Sequence, residues 1–220
     1  MLSIDPKHLE IPKLHRYLLG AIGPRPIAFA STVDENGNTN LAPFSFFNVF
    51  SANPPIMIFS PARSGRTNTT KDTYNNIKKI PEVVINVVTH EIVHQMSLAS
   101  SPYPSDISEF EKSGFTAVKS EIVTPPRVDE SPVQFECKVN DVIELGQKGG
   151  AGNLILCEVL KMHIHEDVLD ENQMIDQHKI DLVSRMGGNW YCRADQNSMF
   201  EINKPITKCG IGYDSLPSDI

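Results

Sequence analysis

The chain has 220 residues, a length that suits one large domain or two small ones, and 20 basic against 27 acidic side chains leave a net charge of −7. That balance argues against a protein that grips nucleic acid, which needs a basic excess to neutralise phosphates. Hydrophobic residues at 40% and charged residues at 21% are enough to bury a core, no apolar run approaches the roughly 18 residues of a membrane span, and Asp5, Lys7 and Glu10 stand where a secretion signal would need an apolar stretch.

In chain order, the first predicted strand covers 26–33, Pro-Ile-Ala-Phe-Ala-Ser-Thr-Val. Asp34-Glu35-Asn36-Gly37-Asn38 follows, and Asn-Gly tolerates positive φ, so a hairpin turn is expected, with a return strand over 39–44. A third strand, 55–60, is almost wholly apolar and is expected to be buried on both faces. Thr70 or Asp72 is placed to cap a helix reaching Ile80, and 82–88 is a further β-branched run. Thr89 is placed to cap a short helix through about Leu98, and Ser105 or Asp106 one through Lys112, with Asp106 and Glu109 at capping-box spacing. Over 133–139 the period is two: Val133, Phe135, Cys137 and Val139 share one face, Gln134, Glu136, Lys138 and Asn140 the other, as in a half-exposed antiparallel strand. A glycine-rich hairpin loop, 146–152, leads into a long strand over 153–164. Prolines punctuate the chain throughout, and strands pair as hairpins without βαβ alternation. The expected architecture is mainly β, one antiparallel barrel with a few peripheral helices.

Cys137, Cys157, Cys192 and Cys209 form no CxxC pair and read as free, mostly packed thiols. The window 60–73, Ser-Pro-Ala-Arg-Ser-Gly-Arg-Thr-Asn-Thr-Thr-Lys-Asp-Thr, reverses the local sign of an acidic chain. It carries Arg63, Arg66 and Lys71 with the hydroxyls of Ser60, Ser64, Thr67, Thr69, Thr70 and Thr73, between a strand and a helix start. Such a window is either a polar surface loop that caps its own helix or a phosphate cradle. Asn40-Leu41-Ala42-Pro43-Phe44-Ser45-Phe46-Phe47-Asn48 mixes two amides, a hydroxyl and three aromatics. The aromatics alone read as core. Buried amides and a hydroxyl would then cost free energy unless hydrogen-bonded. A planar ligand with one apolar and one amide-like edge, such as a flavin, meets both demands.

His90-Glu91-Ile92-Val93-His94 matches HExxH, a zinc-hydrolase motif when both histidines share a helix face. Against it, His90 falls in the first turn, Ser100-Ser101-Pro102 follows closely, and no later motif forces a third ligand. No metal site is expected there. His163 and His165 share a strand face and read as exposed histidines rather than ligands. The glycines of 146–152 fit neither GxGxxG nor the Walker pattern, so a nicotinamide cofactor would bind without a Rossmann fingerprint.

Three blocks together are more specific: Gly23-Pro24-Arg25-Pro26-Ile27-Ala28-Phe29, the 40–48 segment, and Lys71-Asp72-Thr73-Tyr74-Asn75-Asn76-Ile77. In this order they resemble the flavin reductase-like, FMN-binding split-barrel family, especially its flavoredoxin-type branch. The resemblance covers about 15–195 and implies one Greek-key split-barrel domain over 1–220, with a tail from 196. It implies a cytoplasmic homodimer with FMN near the interface. By the same resemblance Asn40, Ala42, Pro43, Ser45, Phe46 and Asn48 line the isoalloxazine. Ser60, Arg63, Thr67 and Lys71 hold the phosphate end, and Asp72 and Thr73 open the helix. Arg185-Met186-Gly187-Gly188-Asn189-Trp190-Tyr191 resembles a late family stretch that brings Tyr191 toward the flavin, and His163 is a further neighbour. The implied activity passes electrons from NAD(P)H through FMN to free flavin, a partner oxygenase, a ferric chelate or an electron carrier. A non-catalytic FMN-binding electron-transfer protein is the alternative, and a zinc hydrolase using His90, Glu91 and His94 a remote one.

Overall fold

The computed structural model describes residues 1–104 and 107–202. Seven strands form one antiparallel sheet in the order β2-β1-β5-β8-β9-β4-β3. They are β1 (Ala28–Val33), β2 (Thr39–Phe44), β3 (Phe47–Ala52), β4 (Pro55–Phe59), β5 (Glu82–Asn86), β8 (Val133–Glu144) and β9 (Asn153–Ile164). The short pairs β6 (Ala117–Val118) with β7 (Arg127–Val128) and β10 (Val183–Arg185) with β11 (Tyr191–Arg193) stand apart from it. The helices are α1 (Ile11–Ala21), α2 (Asp72–Ile77), α3 (Val93–Ala99) and α4 (Glu109–Ser113). None is long and apolar enough to cross a membrane.

The two outermost strands, β2 and β3, are consecutive and are joined only by Ser45 and Phe46. A sheet whose edges are joined this way must curl until they meet, which is the split-barrel form of the predicted barrel. Its interior holds Ala28, Ala30, Met57, Phe59, Ile85, Cys137, Ile155 and Cys157, with Tyr74 and Ile77 of α2. Burial pushes both interior thiols, Cys137 and Cys157, well above the ordinary cysteine range. Cys137, Cys157 and Cys192 are free, as expected; Cys209 lies outside the described residues. A second cluster packs α3 and α4 on the other side of β1, through Phe29, Leu41, Met96, Phe110 and Phe115. The strand buried on both faces is therefore β1, where Ala28 and Ala30 point one way and Phe29 the other, with Ile27 just before it on the Phe29 side.

Four expectations change. β4 alternates: Met57 and Phe59 are buried, whereas Ile56 and Ile58 are half-buried on the outer face beside Asn48, Ser51 and Leu156. The polar face of β8 is covered at Gln134 and Glu136, while Lys138 and Asn140 are exposed as expected. Glu136 and Gln134 are buried because the 119–128 segment folds over them and the carboxylate of Glu136 accepts the backbone N–H groups of Glu121, Ile122 and Val123. α3 begins at Val93, preceded by Ile92, while Thr89 sits in a bridge with Leu182; α4 is preceded by Ser108, and Ser105 and Asp106 lie outside the described residues. Lys71 precedes α2, and the Thr70 hydroxyl donates to Asn75 rather than capping. Helix α1 has no counterpart among the predicted elements. It starts with Pro12 in the first turn and buries none of its residues, leaving Ile11, Tyr17 and Leu18 exposed.

Candidate functional site

The hydroxyl-rich window and the amide–aromatic segment are separate in sequence but are tied at both ends. At one end the Ser60 N–H donates to the Phe46 carbonyl at 2.9 Å. At the other the Asn40 amide donates to Thr73 Oγ1 at 2.9 Å and to Thr32 Oγ1 at 3.3 Å. The loop 60–73 is thus anchored beside β2 and the β2–β3 turn. β2 supplies the strand because its partner β1 is locked in the core, and α2 fixes the far end because Tyr74 and Ile77 are buried.

Inside the loop, Arg63 is folded onto its own backbone: Nε donates to Asn68 Oδ1 at 3.0 Å and Nη2 to the Asn68 carbonyl at 2.7 Å. Thr67 is exposed, with its hydroxyl 2.8 Å from that of Thr69. Lys71 and Arg66 are exposed and, among the described residues, pair with no carboxylate. Ser60 Oγ is buried and hydrogen-bonded to nothing. A buried hydroxyl without a partner is uncommon in a finished core and suits a site that a ligand completes. These features, cationic side chains, the exposed hydroxyls of Thr67 and Thr69 and an orphaned Ser60 Oγ, fit the phosphate-bearing end of a flavin nucleotide. Asp72 instead faces a small cavity with Asp34 and Glu109, whose carboxyl is pushed up by burial first and, against the Leu41 N–H, further by Asp72.

The 146–152 loop is more than a hairpin connection. Gly150 has φ 87°, and a Cβ on Gly149 would come within 2.8 Å of the Ser64 carbonyl. Glycine is needed there for close approach. The Arg63 N–H donates to the Ala151 carbonyl at 2.8 Å and the Gly150 N–H to the Arg63 carbonyl at 3.0 Å. This loop backs the 60–73 loop from behind.

Pro43, Ser45 and Tyr191 meet in one cleft with Ile27, Met96, Ser100 and Arg185. Phe46 is 40% exposed at the turn, edge-on to His15. Ala42 is paired with Ala30 inside β2. Asn48 lies away from this cleft, exposed on β3 and accepting the Val49 N–H at 2.8 Å. His163 is committed to the Glu136 carboxylate at 2.6 Å. Arg25, Met96 and Ser100 carried no sequence signal as site residues, although Arg25 stands in the Gly-Pro-Arg-Pro block.

The HExxH geometry does not form. His90 lies upstream of α3, its N–H held by the Asp181 carbonyl at 3.0 Å, so His90 and His94 do not share a helix face. Among the described residues no group of three His, Cys, Asp or Glu side chains is placed to hold a metal.

Comparison with known proteins places these features in one family. Residues 21–181 match the flavin reductase like domain. An uncharacterized protein of Halalkalibacterium halodurans is 37% identical over 206 residues, covering 93% of this chain and 97% of that one. Nitrilotriacetate monooxygenase component B from Bacillus cereus superposes with a TM-score of 0.85 at 30% identity, over 92% of this chain and 98% of its own. The 2-nitrobenzoate 2-nitroreductase of Pseudomonas fluorescens gives 0.82 at 27% identity, over 95% and 100%. The match spans the barrel, the anchored loop and the segment it lies against, and this chain belongs to the flavin reductase-like, split-barrel family.

Proposed function

We propose that this chain is an FMN-dependent oxidoreductase that takes electrons from NAD(P)H and delivers them to an acceptor: free flavin, a partner oxygenase, a ferric chelate or an electron carrier. The observation that carries this reading is the 60–73 loop, anchored to Phe46 and Asn40, with Ser60 Oγ left without a partner. Bound FMN supplies the hydride-accepting and electron-donating chemistry.

The protein's share is binding and positioning. Lys71 and Arg66 neutralise the phosphate, with Ser60 and Thr67 as hydroxyl partners. Asn40, already fixed by Thr73 and Thr32, keeps the near strand in register with the helix. Ser45 offers its hydroxyl to the polar edge of the ring system, held by the Arg25 Nε at 3.4 Å. Pro43 and Phe46 supply apolar contact, and Tyr191 approaches from the β10–β11 hairpin.

A homodimer completes this reading. Val49 and Phe50 of β3 are more than 60% exposed, Leu160 and Met162 of β9 are exposed, and α1 exposes Ile11, Tyr17 and Leu18. Such apolar surface is larger than single exposed residues explain and suits a second copy of the chain. Stopped-flow mixing of FMN-loaded protein with NADH or NADPH tests the activity. Flavin bleaching within the mixing series supports a reductase. Bleaching by dithionite but by neither nucleotide would leave a carrier instead.

A further inference from the structure

The cleft between the β2–β3 turn and the β10–β11 hairpin has one guanidinium, Arg185, in its wall, and Arg25 is its backbone bridge partner. Arg25 is 5% exposed. Its Nη1 donates to the Leu19 carbonyl at 2.9 Å and to the Ile22 carbonyl, its Nη2 to the Met186 carbonyl at 2.9 Å and its Nε to Ser45. All of these partners are neutral. Arg185 lies over the Tyr191 ring, 4.5 Å from its centre, with Nη2 on the Gly188 carbonyl at 2.9 Å. Neither arginine pairs with a carboxylate among the described residues. Burial, and then the charge of Arg185, push the Arg25 guanidinium below its ordinary value, as two close and uncompensated cations require. A buried charge without a counterion is costly, and a chain of net charge −7 has carboxylates to spare.

The two arginines have different roles. Arg25 is saturated and ties the end of α1, the turn and the hairpin together. Arg185 has Nε and Nη1 without hydrogen-bond partners among the described residues, and its plane is set by Tyr191. A fixed, half-free guanidinium is suited to a carboxylate. Ile27, Pro43 and Met96 make the rest of the wall apolar, and the cleft measures about 220 Å³. That is below the roughly 300–1,000 Å³ of drug-sized pockets, so it suits one ring and not a dinucleotide.

We propose that this cleft is a binding subsite for a small aromatic acid, with Arg185 gripping the carboxylate and the ring packed between Tyr191 and the apolar wall. The proposal deepens the flavin reading, since Pro43, Ser45 and Tyr191 also belong to the segments assigned to FMN. Its binding chemistry stands apart from that reading.

The test is calorimetric titration of FMN-loaded protein with benzoate and with its neutral isostere benzamide, repeated on R185Q and R185K. Benzoate is expected to bind at least about tenfold more tightly than benzamide. R185Q should lose about tenfold in benzoate affinity while R185K loses less, because the charge remains. Equal binding of the two probes, no binding of benzoate, or an unchanged R185Q overturns the proposal. Displacement of benzoate from FMN-free protein by added FMN also overturns it, since the cleft would then be the ring site itself. If R185Q does not fold, the benzoate-to-benzamide ratio on the unsubstituted protein decides. Protein that takes up no FMN yet binds benzoate through Arg185 refutes the flavin reading and leaves the subsite standing.

Discussion

Replacing Glu136 with Gln tests how the 119–128 segment is held over β8. The carboxylate is fully buried. Burial alone would push it up, but the N–H groups of Glu121 and Ile122, then His163 and the Val123 N–H, bring it from 4.5 down to about 2. A group depressed on folding stabilises the protein fully above its unfolded value, and that stabilisation is lost as pH falls toward the folded one. The difference corresponds to about 3 kcal/mol at pH 6, of which roughly half remains at pH 3. Gln keeps the shape and removes the titration, so the variant should be about 3 kcal/mol less stable at pH 6 and the gap should close as pH falls. Urea denaturation followed by far-UV circular dichroism between pH 6 and pH 3 measures both curves. A gap that is constant with pH, or smaller than about 0.5 kcal/mol at pH 6, would falsify the assignment of Glu136 as the clamp.

Further outcomes follow from the loop and its backing. Lys71→Ala should weaken FMN binding by about fivefold, or about 1 kcal/mol, at matched ionic strength; unchanged affinity in a flavin-fluorescence titration would remove Lys71 from the phosphate site. Gly149→Ala places a Cβ within 2.8 Å of the Ser64 carbonyl, so the loop backbone must shift. It should cost about 1–3 kcal/mol in thermal unfolding and lower FMN affinity as well; a loss of stability with native FMN affinity would show that the backing loop does not support the site.

Hairpin structure was legible because it is written locally. Asn36-Gly37 supplies the turn, with φ 85° at Gly37, and β2 and β9 fall on their predicted residues. Closure of the sheet was expected from the strand inventory. What escaped the sequence depends on tertiary cover. Alternation marks Glu136 as outward, and only the fold of 119–128 buries it. The apolar run of β4 suggests burial on both sides, yet one side faces outward. Helix α1 shows apolar spacing at Ile11, Leu14 and Leu18 but buries none of its residues, so no core face marks it. At the candidate site, the residue types of 40–48 and 60–73 were readable. Their anchoring through Ser60–Phe46 and Asn40–Thr73 was not, nor was the self-bonding of Arg63 to Asn68. Arg25 ties the nearby end of α1 to Ser45 and to Met186, 161 residues away, a role no local pattern encodes.

The most direct test is the absorption spectrum of freshly purified protein, followed by chromatographic identification of whatever heating releases. The expected result is an oxidised-flavin spectrum with FMN recovered at about one per chain. A colourless protein that takes up no added FMN, or one that releases FAD alone, would contradict the proposed cofactor.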